Sequence, residues 1–368
     1  MHSTIKTILL IIVYTITVVL TEKIAYCHDD LHDIIHLVQD DNSWRFFFSK
    51  EKKVFRTDIS DELRQIVDLI GALRNAQAID ILAEKLFQPS SLSRNPPRGY
   101  ELYPCILALA RHDSATLDSV LKKCKNGYDP FIVEGYFSKL LPKESFFAIV
   151  DEYLEMDKTH INSNQKEYLL EMKTYFSELL AEKNELPPLS KAVMNHPLYK
   201  KRQSAIDLNL LILKEQKNII ELNIKTFNAI QKLGELRSVE AVEVLTPYLL
   251  LQSKTEFIKP DEKYITLQKY PVAISLAQIG TPSIRGLLKE VAKGKDEPEY
   301  IETAYKTMST ILPSAAILGF VDEAIENEKD QEAKKRLEKL YPLLPQQEEI
   351  KKRLNEKHET EKKENTRN

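Results

Sequence analysis

The sequence of 368 residues has little glycine, little cysteine and almost no excess of charge, and each shortage excludes a class of protein. Nine glycines are too few for a protein rich in β-turns, whereas the helix-favouring residues Leu, Ile, Ala, Glu and Lys are abundant. A net charge of −3 indicates no basic face for nucleic acid. Three cysteines are too few for a disulfide-dense scaffold. The composition therefore favours an all-α protein.

Catalytic sequence motifs are also missing. The chain has no glycine-rich phosphate loop, no glycine-x-serine-x-glycine turn and no HExxH pair. An enzyme whose site assembles from distant residues stays open as an alternative, and a deep polar pocket between the two halves would favour it. The leading hypothesis from the sequence is a protein without catalytic activity and without a cofactor.

The longest apolar run lies at the N-terminus, where residues 8–20 follow Lys6. A run of this length is short for a bilayer span but fits the apolar core of a signal peptide. Residues 25–27, Ala-Tyr-Cys, form a small-x-small cleavage site. Residues 1–27 are therefore predicted to be a signal peptide, and the protein is expected to be secreted or periplasmic. An uncleaved membrane anchor is the alternative.

Export determines what the remaining cysteines can do, because an oxidising compartment permits disulfides. Without the leader, Cys105 and Cys124 remain. They are expected near the start of one helix and near the end of the next, and these ends are neighbours in an antiparallel hairpin. A disulfide between Cys105 and Cys124 is one expectation, and two buried free thiols are the other.

Three blocks of sequence recur in the same order later in the chain, which is the signature of an internal repeat. The matched blocks are 70–82 with 233–245, 103–110 with 270–277, and 141–152 with 312–323, at separations of 163, 167 and 171 residues. Ordered matches with slowly drifting separations indicate a duplicated half. Each half is predicted to hold three helical hairpins.

Apolar residues recur at helical spacing on both sides of a short turn at residues 74–77. In a later unit, Gly280 fits the end of a helix, Thr281 suits a helix cap and Pro282 suits a first helical turn. The shared pattern is leucine, glycine or alanine, x, leucine, a turn, then alanine with isoleucine or valine.

With this pattern, four hairpins resemble HEAT repeats, and they span residues 61–86, 103–124, 226–249 and 270–291. The resemblance implies a right-handed α-α superhelix, a solenoid of about six hairpins in two duplicated halves. Such repeats serve mainly as protein-binding scaffolds, so the resemblance also implies a protein or extended peptide as partner.

The repeats and the helix breakers Pro187, Pro188 and Pro197 divide the chain into segments. The predicted segments are a signal peptide at 1–27, an N-terminal half at 28–156, an irregular helical connector at 157–225, a C-terminal half at 226–327 and a charged helical or disordered tail at 328–368.

Candidate partner-binding residues lie on the second helices of the hairpins, which line the concave side of HEAT-like arrays. Their outward positions are Asp80, Glu84, Lys122, Lys123, Arg285 and Lys289. This mixture of charges predicts recognition of a charged protein or peptide, and an ordinary solvated face is the alternative. Nothing in the sequence predicts a nucleic-acid partner, a membrane contact beyond the export segment, or a particular oligomeric state.

A second function class comes from His28, His32 and His36, which share one face of a helix at i, i+4 and i+8. Imidazoles at this spacing can share a zinc or copper ion. An envelope metal-binding protein is therefore the alternative function, although solvated histidines at the start of a mature chain explain the pattern equally simply.

Overall fold

In the computed structural model, all of the secondary structure that is described is helical. The structure describes residues 57–86, 104–117, 119–120, 141–156, 188–215, 222–253 and 262–344, with single residues at 34, 35, 38, 136, 140, 170 and 186. These residues contain no β-strand, which confirms the all-α class predicted from the composition.

The N-terminal helices are α1 (Thr57–Leu73), α2 (Ile79–Leu86), α3 (Pro104–His112) and α4 (Lys143–Met156). A 3₁₀ turn, Ala76–Ala78, joins α1 to α2, and the Asn75 side chain stabilises it by accepting a hydrogen bond from the Gln77 amide at 2.8 Å. Both α1 and α2 pack on α3. The apolar face of α1 is buried there, with Val67 and Ile70 inaccessible to solvent or nearly so.

Two helices, α5 (Lys191–Asn195) and α6 (Pro197–Glu215), occupy the predicted connector. Ser190 caps α5 by accepting a hydrogen bond from the Val193 amide at 3.3 Å, and Pro197 takes the first position of α6, where a missing amide hydrogen is tolerated. Because α6 contacts both α1 and α7, it joins the N-terminal helices to the C-terminal ones.

The C-terminal helices are α7 (Ile224–Glu235), α8 (Val242–Leu245), α9 (Pro271–Ile279), α10 (Thr281–Lys293), α11 (Pro298–Ile311), α12 (Ser314–Asn327) and α13 (Gln331–Glu338). Helices α7, α9 and α11 pack side by side in that order, and α8, α10 and α12 form a second layer in which each helix contacts the next. α13 lies in the predicted tail and packs on α10 and α12.

Glycine permits the same close helix crossing in both parts of the chain. A Cβ atom on Gly71 of α1 would lie 2.6 Å from the Cα of Ala108 in α3, and one on Gly234 of α7 would lie 2.8 Å from the Cα of Ser275 in α9. Since the sequence alignment matches both pairs of positions, α1 crosses α3 as α7 crosses α9, backbone against backbone.

Each of the turns after these helices contains a residue with a positive φ angle. Arg74 and Arg237, which are 163 residues apart, have φ angles of 53° and 48°. Asp113 and Gly280, which lie three residues beyond the second matched block at the same separation of 167 residues, have φ angles of 64° and 101°. Left-handed residues end many helices, but glycine or asparagine usually occupies the position, so the two arginines and the aspartate need a further explanation.

Candidate functional site

Four turns meet at one buried polar cluster between the N-terminal and C-terminal helices. The Arg74 guanidinium, only 8% exposed, donates from Nη1 to the carbonyl oxygen of Arg237 at 2.6 Å and from Nη2 to that of Ile279 at 3.3 Å. The same guanidinium lies 3.6 Å from the carboxylate of Asp113. Arg74 therefore connects the end of α1 to the ends of α3, α7 and α9.

Asp113 is the acidic partner in this cluster. Its carboxylate accepts hydrogen bonds from the Ser114 amide at 2.6 Å and from the Thr281 hydroxyl. Thr281 was predicted to cap α10, but it is the first residue of that helix and its hydroxyl contacts Asp113 instead. Burial raises the pKa of Asp113, while Arg74 and the hydrogen bonds at Ser114 and Thr281 oppose the rise.

Burial also shifts the basic groups. The pKa of Arg74 falls to about 10 because the side chain is desolvated, and Asp113 offsets part of the fall. His112 is inaccessible to solvent, and its pKa falls to about 3 because of burial first and then of Arg74 and Arg237. The ring nitrogens of His112 make no hydrogen bond of normal geometry, although the Ile70 carbonyl favours the protonated ring. His112 is therefore neutral at physiological pH.

Arg237 differs from Arg74, its match in the alignment, because its side chain has no hydrogen-bond or ion-pair partner among the described residues. Its Nη1 is buried without a hydrogen bond, and no ion pair involving this side chain occurs among the described residues. Other buried atoms in the region also lack a hydrogen bond, among them Nε of Arg74 and Oε1 of Gln278. Unpaired buried polar atoms are uncommon in folded proteins, and strain, a functional role or a bound water or ion can account for them.

A cavity of about 570 Å³ lies at the meeting point of the turns. The residues that line it come from both parts of the chain and include Arg74, Asn75, Gly234, Arg237, Gln278 and Gly280. Lys263 and Tyr264 form a further wall, with the Lys263 ammonium 5.5 Å from the centre of the Tyr264 ring. The cavity is a polar pocket between distant parts of the chain, and such a pocket favours the enzyme alternative without assigning an activity.

The sequence did not identify Arg74, Asp113 and Arg237 as site residues. A signal was present, because the alignment matches Arg74 with Arg237 at a position where a helix-ending turn favours glycine or asparagine. The role of Asp113 had no such signal, since its match is Gly280 and its contacts to Arg74 and Thr281 depend on how distant segments pack.

The predicted partner-binding residues lie on α2 and α10, apart from the polar cluster. Asp80 and Glu84 are exposed on α2, and Asp80 accepts a hydrogen bond from the Ser119 hydroxyl at 2.7 Å. Lys122 and Lys123 lie outside the described residues.

On α10, Arg285 and Lys289 are exposed but paired. Arg285 lies 3.6 Å from the Glu323 carboxylate and 5.0 Å from the centre of the Phe320 ring. Lys289 lies 2.6 Å from Glu243, and this pairing raises the pKa of the lysine and lowers that of the glutamate. Exposed ion pairs contribute little stability, so these charges remain open to exchange with those of a partner.

The disulfide and metal hypotheses depend on residues that are not described. Cys105 is buried, and desolvation raises the pKa of its thiol to about 12. Cys124 lies outside the described residues, so the disulfide and the two buried thiols both stay predictions. His28, His32 and His36 also lie outside them. Within the described ranges, no group of three His, Cys, Asp or Glu side chains is arranged to hold a metal ion.

A separate surface feature is an apolar strip on α6 and α7, formed by Leu208, Leu211 and Ile224. These side chains are 59%, 52% and 53% exposed, although Ile206, on the opposite face of α6, is fully buried. Leu208 and Leu211 lie about one turn apart on α6, and Ile224 begins α7, the helix that packs on α6. Two exposed leucines one turn apart, with an exposed isoleucine on the helix that packs against theirs, form a candidate contact surface.

No single helix in the described part of the chain has the length and apolar character needed to cross a membrane. Helices α11 and α12 meet that requirement only together, and the chain bends by 120° between them.

Comparison of the chain with protein-family models, with curated proteins and with solved structures finds no match.

Proposed function

We propose that the chain is an exported, non-enzymatic scaffold of HEAT-like hairpins that binds a protein or an extended peptide. The layered order of α7, α9 and α11 against α8, α10 and α12 supports HEAT-like stacking in the C-terminal half. The equivalent crossings at Gly71 and Gly234 support duplication of the half.

The contacts between matched positions support a two-fold arrangement of the halves. Arg74 donates a hydrogen bond to Arg237, its own match 163 residues away. Ser145 donates one at 2.6 Å to the carbonyl oxygen of Ala316, its own match 171 residues away, and α4 packs on α12. A position that contacts its own match lies near a two-fold axis, whereas consecutive units of one continuous superhelix contact different positions. The proposed scaffold therefore has two short stacks that face each other.

The apolar strip of Leu208, Leu211 and Ile224 is the single observation that carries the binding proposal. The buried face of α6 already includes Ile206, Leu210 and Leu213, so the core does not need the leucines on the opposite face. An amphipathic segment of a partner would bury the strip, which favours binding because apolar area leaves water. The exposed charges on α2 and α10 are weaker candidates for affinity, since Arg285 and Lys289 have partners within the chain.

Affinity capture from an envelope extract of the source cell tests this function. The tagged chain is compared with a Leu208→Ser/Leu211→Ser variant and with an Arg285→Gln/Lys289→Gln variant, and bound proteins are identified by mass spectrometry. We expect a stoichiometric partner that the leucine variant loses and the charge variant retains. Loss only with the charge variant would move the binding surface to α10, and recovery of all three chains without a partner would contradict the scaffold function.

Export is part of the proposal and is carried by the sequence of residues 1–27. N-terminal sequencing of the chain from its source cell tests it, and a mature start at His28 is the expected result.

An enzyme remains the second candidate because of the cavity between the halves. Turnover of a compound that binds in this cavity would assign the chain to that class and contradict the non-enzymatic proposal.

A further inference from the structure

We propose that the cavity between the four turns binds a small organic molecule through an oxyanion group, a carboxylate or a phosphate, with Arg237 as its main contact. This site is distinct from the apolar strip on α6 and α7, and it stands whether or not the strip binds a protein.

The balance of charge around the cavity favours an anion. Arg74, Arg237 and Lys263 line it. Glu235 also lines it, but this carboxylate is already paired with Lys232 at 2.9 Å. The buried carboxylate of Asp113 lies 3.6 Å from Arg74, and no carboxylate of the described residues pairs with Arg237. An anion that enters the cavity therefore meets the Arg237 guanidinium in a partly desolvated place, where the attraction between charges is stronger than in water.

The hydrogen-bonding capacity of the two arginines points to an oxyanion rather than to an anion of any shape. Both terminal nitrogens of Arg74 donate to backbone carbonyls, and only its Nε is buried without a partner. The Arg237 guanidinium makes no hydrogen bond with the described residues, and because its Nη1 is buried, Nε and Nη2 are the atoms that can meet a ligand. The planar fork of a guanidinium matches two oxygens of a carboxylate or phosphate. Because Arg74 bonds to the main chain of Arg237, it also fixes the segment that carries the binding side chain.

The size and walls of the cavity indicate an organic ligand rather than a bare ion. A volume of about 570 Å³ lies within the range of small-molecule sites. Leu73, Leu236 and Ile311 supply apolar surface, and the buried Tyr264 lies beside the charged groups. Gln278 also lines the cavity and adds a polar side chain to its walls.

Isothermal titration calorimetry on the full-length chain tests the proposal at constant ionic strength. The probes are benzoate, phenyl phosphate and, as a neutral match, benzamide. We expect saturable binding of at least one anion with one site per chain, and no binding of benzamide. A higher affinity for benzoate than for phenyl phosphate indicates a carboxylate ligand, and a higher affinity for phenyl phosphate indicates a phosphate ligand.

Two variants assign the binding to Arg237. Arg237→Gln should weaken the anion by about tenfold or more, since it removes charge-assisted hydrogen bonds. Lys335→Gln removes one exposed positive charge from α13 and should leave the affinity unchanged. If Arg237→Gln does not fold, protection of Arg237 from phenylglyoxal by the bound anion provides the same test on the unmodified sequence.

Three results would overturn the site. They are the absence of saturable binding of either anion at millimolar concentration, equal affinity for benzamide, and an affinity of folded Arg237→Gln equal to that of the parent.

Discussion

The two turns at Arg74 and Arg237 have similar backbone φ angles, but their arginine side chains make different contacts. Their φ angles differ by only a few degrees, at 53° and 48°, and each follows a helix that crosses its neighbour at a glycine. Yet the buried Arg74 side chain makes hydrogen bonds and an ion pair, whereas the Arg237 side chain makes neither with any residue that the structure describes. The second pair of turns differs as well, since Asp113 in one corresponds to Gly280 in the other.

Because the contacts of the matched turns differ, the two halves contribute different chemical groups to the buried cluster between them. The N-terminal half supplies the charged side chains, Arg74 and Asp113, and the C-terminal half supplies two backbone carbonyls and the Thr281 hydroxyl. A buried ion pair is costly to desolvate, so its net stability is small while the loss of one member is expensive. We infer that Arg74 and Asp113 fix how the halves meet, and that Arg237 is free for a ligand.

Replacing each arginine with methionine tests this division most strongly. Arg74→Met should lower the free energy of unfolding by about 3–5 kcal/mol, because Asp113 is left as a buried charge without its partner. Arg237→Met, the matched control, should change it by less than about 0.5 kcal/mol. Urea unfolding measures both values. Equal losses of stability for the two variants would show that the arginines are equivalent and would contradict the division of roles between them.

A second test uses His112, whose match in the C-terminal half is Ile279. Both side chains are buried, but only the histidine binds a proton, and its pKa falls from 6.5 in the unfolded chain to about 3 in the folded protein. Between these values the unfolded chain binds more protons, so the stability that depends on neutral His112 is complete above about pH 6.5 and is lost as the pH falls. At pH 4.5 this loss is about 2–3 kcal/mol.

His112→Ile should abolish that loss. We expect the variant to gain about 2–3 kcal/mol over the parent at pH 4.5, relative to their difference at pH 7.5. Asp113, whose pKa is raised, has the opposite sign and loses stability as the pH rises above its ordinary value, but it is present in both proteins and cancels in the difference. An unchanged acid loss in the variant would show that another group causes it.

The sequence predicted the parts of this comparison that depend on local pattern. Apolar spacing gave helices around Ile70 and Leu233, and both residues are buried in the core. Leu236 was included in the same apolar pattern, but it is only half-buried and lines the cavity, as does its match Leu73. Helical spacing identifies which face of a helix is apolar, whereas the point along the helix at which burial ends depends on what packs against it.

The cluster itself could not be predicted. The contacts of Arg74 join residues that are 163 and 205 positions apart, and no local rule brings such residues together. The apolar strip was partly visible, because α6 carries leucine and isoleucine on more than one face between residues 206 and 213, and such a helix needs burial on two sides or a partner.

The glycine crossings give a smaller effect that should be equal in the two halves. Gly71→Ala and Gly234→Ala each place a Cβ atom against a neighbouring backbone and should each lower the free energy of unfolding by about 1–3 kcal/mol. Asn228→Ala on the exposed side of α7 is the control and should leave stability nearly unchanged. A loss at only one glycine would mean that only one of the two crossings is tightly packed.

The smallest effects belong to the matched acids Asp80 and Glu243 on the outer surface. Asp80 bonds to Ser119 and Glu243 pairs with Lys289, and both acids are exposed. Asp80→Asn and Glu243→Gln should leave the Tm unchanged in physiological salt, because solvent and ions screen such contacts. Substitutions at matched surface positions would then have equal effects on stability, whereas those at Arg74 and Arg237 would not. The difference between the halves would therefore lie in the buried contact between them. A drop in Tm for either acid would instead show that the exposed contacts on α2 and α8 stabilise the packing within their own half.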